Sequence, residues 1–206
     1  MVERFVTAVR TEDPGLEDTA ATRERLRERY PRGATRRMTQ LGLVLGSTLL
    51  PFEPAEDDTL VYASGYAETR ALEGYLESFP AASPTLFQTS IHPSGVRQSL
   101  IGRQQPVRTF FPLTGGAHLA SQALCTALLA PSSRVLVTGG EERGTWLLEQ
   151  RAASERTFAF TLALANDATA AVARVTLESG AESGAADPFS LAALFDLLVQ
   201  RRNHRW

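Results

Sequence analysis

The chain has 206 residues and no lysine; every one of its 21 Lys+Arg residues is arginine. That absence excludes a phosphate-loop lysine, a Schiff-base lysine and a lysine general base. One cysteine, Cys125, excludes an internal disulfide and a cysteine-built zinc cluster. Three histidines, His92, His118 and His204, are too few and too scattered for a histidine-rich metal site, so no metal and no cofactor are expected. No stretch approaches the ~18 apolar residues of a membrane span. The N-terminal stretch from Met1 to Asp18 carries Glu3, Glu12, Asp13 and Glu17 and does not read as a signal peptide. A cytoplasmic protein is expected, and a lone thiol fits a reducing compartment. With a formal net charge of -2 there is no global basic field to recruit nucleic acid or a membrane.

What is present is an ordinary globular balance: 43% hydrophobic and 21% charged residues, enough apolar material for a core. The length predicts one domain, or at most two small ones. Arg4 to Val9 reads as a strand closed by Pro14-Gly15. Asp18 or Thr19 is placed to cap a helix through Tyr30, ended by Pro31-Arg32-Gly33. Met38, Leu41, Leu45 and Leu49 recur at helical spacing, which predicts a helix over about Thr35 to Leu50. Thr59 to Ser64 reads as a strand, and Ala67 to Phe79 as a helix. Pro80 to Pro84 reads as a connector, with Ser90 capping a short helix from Pro93 to Ile101. Val107 to Phe111 reads as a strand. Gly115-Gly116 then opens a helix to Ala130 that is apolar nearly all round, a pattern that predicts burial. Arg134 to Thr138 reads as a strand ending in Gly139-Gly140. Thr157 to Ala165 and Ala168 to Leu177 flank Asn166-Asp167 and predict a hairpin. Asp187-Pro188 predicts the start of a last helix with Leu191, Leu194, Phe195 and Leu198 on one stripe.

This alternation, closed by an antiparallel pair, predicts an α/β domain with a mixed five-stranded sheet and helices on both faces. The expected organisation is a domain over 1–178, a linker over 179–186 and a C-terminal helix over 187–206 that packs on the domain or on a partner.

From Thr35 to Leu177 the order of motifs resembles the N-terminal half of β-ketoacyl synthases. Arg36-Arg37-Met38-Thr39 is similar to the family's Arg-Arg-Met-Ser. The run from Leu60 to Glu68 is similar to the strand and turn before its Gly-x-x-Tyr-Gly-Glu. Ser83 to Gly102 is similar to its Ser-Pro-Thr-x-Phe and Ser-Val-His-Asn stretch, above all in the aryl-polyene and chain-length-factor-like subfamily. Val135 to Glu142 is similar to a strand ending in Gly-Gly-x-Glu. The resemblance implies the N-terminal half of a thiolase-like fold, with a buried central helix whose N-terminus holds the nucleophilic cysteine in active relatives. A helix N-terminus lowers a thiol pKa and stabilises an oxyanion. Here Thr114 or Gly115 stands at that position. Cys125 lies ten residues beyond Gly115, roughly 15 Å along a helix at ~1.5 Å per residue. The family's catalytic histidines and lysine come from a second half, and this sequence ends at Trp206.

The resemblance thus implies no catalytic residue in this chain. It implies a non-catalytic, chain-length-factor-type subunit acting with a full-length ketoacyl synthase in fatty-acid, polyketide or aryl-polyene biosynthesis. Two further readings stay open: an acyltransferase or condensing enzyme completed by a partner, and a stand-alone module binding acyl-CoA or acyl carrier protein. Thr114, Gly115, Gly116, His118, His92 and Phe111 are the candidates for a substrate pocket. For His118 and His92 the plainer alternatives are backbone hydrogen bonding, capping or packing. For Thr114 an acyl-acceptor role requires a base within ~3 Å. Arg36, Arg37 and Phe110 are candidates for docking a partner or a carrier protein. The arginines from Arg23 to Arg37 suit phosphate or an acidic carrier, or a solvated helix face, since Glu24 and Glu28 are interleaved. The expected assembly is a heterodimer with the synthase or a homodimer, without nucleic acid or membrane insertion. Gly115-Gly116 and Gly139-Gly140 match no phosphate-loop pattern and read as tight turns or close packing.

Overall fold

The computed structural model describes residues 1–178 and 188–200. The predicted linker 179–186, Asp187 and the end of the chain from 201 onward lie outside the described residues. Six strands form one sheet in the order β3-β2-β4-β5-β1-β6. They are β1 (Val2–Glu12), β2 (Thr59–Ala63), β3 (Thr109–Leu113), β4 (Arg134–Glu141), β5 (Phe158–Ala165) and β6 (Ala173–Leu177). β3, β2 and β4 run parallel, whereas β5 is antiparallel to both β4 and β1, and β6 is antiparallel to β1. The mixed α/β class is as expected, with one strand more than five. The expected hairpin is replaced by a wider connection. β5 and β6 do not pair; β1 lies between them, and Val172 N donates to Val6 O at 2.8 Å where the chain crosses over β1.

Period-two alternation divides the sheet into two apolar faces. Leu60 and Tyr62 of β2, Leu136 of β4, and Ala159 and Ala163 of β5 point to one side. Val61 and Ala63, Val135 and Val137, and Phe158, Phe160 and Leu162 point to the other. The first face is covered by α1 (Thr19–Leu26), α2 (Gln40–Leu49) and α5 (Ser94–Gly102). Asp18 caps α1, accepting from Ala21 N at 2.8 Å, and Thr39 caps α2, accepting from Gly42 N at 3.0 Å. Residues 34–37, expected as the first turn of α2, form a separate 3-10 turn. Gly42 and Gly46 allow α2 to approach its neighbours: a Cβ on Gly46 would lie 2.5 Å from Ser99 Oγ and from the Tyr30 hydroxyl.

α3 (Thr69–Glu77) follows β2, and the connector expected around Pro84 is a short helix, α4 (Pro84–Ser90), capped by Ser83. Ser90 therefore ends a helix instead of starting one. The second face carries α6 (Leu119–Leu129) and α8 (Leu191–Gln200). α8 starts at Leu191, with Ser190 Oγ accepting from Ala193 N at 3.2 Å, so Pro188 precedes the helix instead of opening it. Its Leu191, Leu194 and Phe195 are buried, and Phe189 just before it packs in the same cluster. Arg156 holds α8 down through Asp196 at 2.9 Å, while its guanidinium lies over the rings of Phe158 and Phe195. α6 is buried on one side only: Leu119, Ala120, Ala123, Leu124, Ala127 and Leu128 face the sheet, and Leu129 is 67% exposed. The remaining helix, α7 (Trp146–Glu149), is a single turn after β4.

Candidate functional site

The parallel strands β2, β3 and β4 all end at one edge of the sheet. The chain leaves β2 through the helices of one face and β3 through α6 on the other. Neighbouring β2 and β4 therefore flank a point where connections diverge, the usual position of a ligand crevice in open α/β sheets. A cleft of about 580 Å³ opens there. Its floor is Gly65, Tyr66, Glu141 and the Gly115-Gly116 loop; Leu119, Arg151, Arg156 and the start of α8 line its walls.

Glu141 sits at the base of the cleft. Its carboxylate accepts from Gly65 N at 2.7 Å, Tyr66 N at 3.1 Å and Ser64 Oγ at 3.1 Å. Burial pushes its pKa up to about 7 although these three donors favour the charged form. Gly65 is required by closeness, since a Cβ there would lie 3.2 Å from both Glu141 Oε1 and Gly115 O. Gly139 and Gly140 have the packing role expected of them: a Cβ would meet the Phe160 ring at 2.6 Å or Phe158 O at 2.5 Å.

Three more glutamates at the same edge receive helix N-termini. Fully buried Glu142 accepts from Leu41 N at 3.1 Å and Arg70 N at 2.9 Å, and so joins the starts of α2 and α3. Glu68 accepts from Gly95 N at 2.5 Å, at the start of α5. Burial raises both to about 7. Glu73 accepts from Thr145 N at 2.6 Å and Leu147 N at 3.1 Å, and pairs with Arg70 at 2.8 Å. Burial works against its charged form, but these hydrogen bonds bring its pKa below the usual range. The partial positive charge and free N–H groups of helix starts suit carboxylates. Sequence reading placed Glu68 and Glu142 in motifs without assigning them this role; only the folded chain brings their partners, up to 101 positions away, into reach.

Of the residues singled out from sequence, the fold brings Gly115 and Gly116 to the cleft. Thr114 precedes them and is exposed. α6 begins at Leu119, four residues later than expected, so exposed His118 occupies its N-cap position without a side-chain capping bond. His92 lies on the opposite face of the sheet, stacked on Tyr62 with ring centroids 4.6 Å apart. Burial lowers its pKa to about 4. Phe111 is 39% exposed on the outer strand β3, and Phe110 packs partly against the first core face. Arg36 and Arg37 are exposed in the 3-10 turn before α2. Cys125 is half-buried in the middle of α6, and burial pushes its thiol pKa up. Among the described residues no group of three or more His, Cys, Asp or Glu side chains is placed to hold a metal ion, and no helix is long and apolar enough to cross a membrane.

No protein-family profile and no curated protein sequence matches the chain. Solved structures do. A ketosynthase (ApeO) in complex with its chain length factor (ApeC) from Xenorhabdus doucetiae aligns at a TM-score of 0.65 and 20% identity, over 82% of this chain and 81% of that one. The ishigamide ketosynthase/chain length factor aligns at 0.58 and 12% identity, over 81% of this chain and 62% of that one. A β-ketoacyl synthase from Burkholderia phymatum aligns at 0.52 and 16% identity, over 80% of this chain and 59% of that one. The chain thus spans less than two thirds of the last two and most of the first, whose matched chain is of similar length. Its fold is the thiolase-like fold of ketosynthases and chain length factors, the one its motif order resembles.

Proposed function

We propose that the protein is a non-catalytic, chain-length-factor-like subunit that pairs with a ketosynthase. The observation that carries the reading is the chemistry at the start of α6. The loop Thr114-Gly115-Gly116-Ala117-His118 offers no thiol to the cleft, and Cys125 lies farther along α6 with its thiol pKa raised. Glu141, the buried acid of the cleft, already accepts three hydrogen bonds, and the one hydroxyl among their donors, Ser64, is fully buried and itself accepts from Ala67 N at 2.9 Å. Likeness to ketosynthase and chain length factor complexes supports a partner of that kind.

Strand β3 suits the contact. Among the described residues it pairs only with β2, and Phe111 and Pro112 are exposed along it. Pro112 cannot donate to a further strand, so the contact there would be packing on Phe111 more than extension of the sheet. The subunit would shape the acyl tunnel, stabilise the synthase or present the carrier protein. Co-expression with a full-length ketosynthase from the same genome tests this. The expected result is a stable heterodimer by size-exclusion chromatography, with condensation of acyl and malonyl carrier-protein substrates only in the complex. Condensation by the isolated chain overturns the reading. An acyl adduct on Thr114 in intact-protein mass spectrometry would instead support the acyltransferase alternative, and tight acyl-CoA binding by a lone monomer the stand-alone module.

A further inference from the structure

Strand β1 is longer than the strand on its outer side. It pairs with β5 from Phe5 to Glu12, whereas β6 meets it only from Val2 to Val6. The register with β5 shifts between Val6 and Ala8, a bulge placed where the pairing with β6 stops. Beyond it, Ala8 to Glu12 have no backbone partner on that side among the described residues. In an antiparallel strand, alternate residues turn their N–H and C=O groups to each side. The open side therefore presents a row of donors and acceptors, the template onto which a further strand pairs.

The side chains of this stretch differ between the two faces of the sheet. Val9 packs with the second core face, which α8 covers, and Ala8 with the first. By period-two alternation Arg10 and Glu12 lie on the first face with Ala8. They line a pocket of about 410 Å³ together with Arg29, Ser47, Thr48 and Pro51. Glu12 is the one acid in that lining, and both its oxygens are taken: Oε1 accepts from Arg25 at 2.6 Å and Oε2 from Arg29 at 3.0 Å. The Ser47 and Thr48 hydroxyls donate within α2, to Val44 O at 2.8 Å and Leu45 O at 2.9 Å. Arg10 is exposed, and its guanidinium makes no hydrogen bond or ion pair among the described residues. An unpaired cation thus stands at a polar pocket, directly beside an open strand edge.

We propose that the open side of β1 takes an extended peptide as an added strand, with an acidic side chain of that peptide set opposite Arg10 at the pocket. In strand addition, main-chain hydrogen bonds supply affinity and a pocket beside the edge selects a side chain. An acid opposite an arginine is a favourable cross-strand pair, and the planar guanidinium fork takes a carboxylate in two parallel hydrogen bonds. On the other face of the added strand, an apolar side chain would continue the surface of Val9 and α8. The partner segment is therefore short and alternating, acidic on one face and apolar on the other. A second copy of β1 fits this edge poorly: it brings another Arg10, and its Glu12 is already held by two arginines. A free oxyanion would use the pocket and leave the strand edge unpaired.

The edge is tested on the full chain by fluorescence anisotropy with a labelled peptide, Thr-Val-Glu-Val-Thr, and its counterpart with Gln in place of Glu. The expected result is saturable binding of the Glu peptide, about fivefold tighter than that of the Gln peptide. Arg10→Ala should lower the affinity of the Glu peptide to that of the Gln peptide and leave the latter unchanged. Arg10→Glu should reverse the preference in favour of a Lys peptide. Arg10 is exposed, so circular-dichroism melts of both variants should match the parent. Hydrogen exchange should slow at amides between Ala8 and Glu12 when the Glu peptide is added. No binding at millimolar peptide, equal affinity for the Glu and Gln peptides, or unchanged affinity in Arg10→Ala overturns the proposal. Binding that survives N-methylation of every peptide amide would show capture of a carboxylate without an added strand, and overturns it too. So does sedimentation in which the chain dimerises and the same amides are protected without peptide, since a second copy then holds the edge.

Discussion

Glu142 bears on two helices at once. Replacing it with Ala would leave Leu41 N–H and Arg70 N–H without their acceptor, and a buried unsatisfied donor costs about 1–3 kcal/mol. A Tm drop of several degrees in Glu142→Ala, measured calorimetrically, is expected. Its titration makes a second prediction, shared with Glu68 and Glu141. All three have pKa values raised from 4.5 to about 7 in the folded protein. Between these values the folded state holds protons that the unfolded chain has released. Stability is therefore full below about pH 4.5 and falls as pH rises through 7. Melts from pH 5 to 8 should show Tm decreasing, and Glu142→Gln, which cannot ionise, should flatten that decrease. A steeper fall in the variant would refute the assignment. Cys125 supplies a third test: with its thiol pKa raised by burial, it should react with a disulfide reagent at pH 7 several-fold more slowly than an exposed cysteine.

Helix α8 completes the second face of the sheet. Its sequence, Leu-Ala-Ala-Leu-Phe-Asp-Leu-Leu-Val-Gln, has only two polar residues, and its buried stripe lies on Phe158 and its neighbours. Phe195 is 1% exposed and its ring centroid is 4.8 Å from that of Phe158. Phe195→Ala should cost about 3–5 kcal/mol, read as a shifted denaturant midpoint. Asp196→Ala should cost at most about 1 kcal/mol, because its pair with Arg156 is half exposed. A larger loss from Asp196 than from Phe195 would show that α8 is held by electrostatics instead of apolar packing.

Across the whole molecule, charge and apolar surface are segregated. Glutamates gather where helix N-termini converge at the edge formed by the ends of β2 and β4, whereas Arg32, Arg36, Arg37, Arg97 and Arg103, exposed and without an ion pair among the described residues, lie along α5 and the segment before α2. Outer strand β3 adds a separate apolar position at Phe111. If that strand meets a ketosynthase, Phe111→Asp should weaken the complex by about thirtyfold, equivalent to about 2 kcal/mol at an interface anchor. The isolated variant should melt like the parent, because Phe111 is 39% exposed. Unchanged affinity would exclude β3 as the contact.

Most strands and the longer helices along 1–178 were legible in the sequence because they rest on local patterning: two-residue alternation in β2, β4 and β5, helical spacing in α2, and Gly or Pro between elements; the short helices α4 and α7 were not, since a one- or two-turn helix carries too little periodicity. The absence of a thiol at Thr114-Gly115 was equally legible, since it depends only on position in the chain. Local pattern could not show that β1 separates β5 from β6, because strand pairing is chosen by which apolar faces meet. Nor could it show His92 and the Gly115-Gly116 loop on opposite sides of the sheet, since the face a loop reaches depends on which side the next helix packs. The roles of Glu68, Glu141 and Glu142, and the difference between paired and unpaired arginines, were decided only by tertiary structure: a buried carboxylate or an exposed guanidinium takes its role from partners that folding brings within about 3 Å.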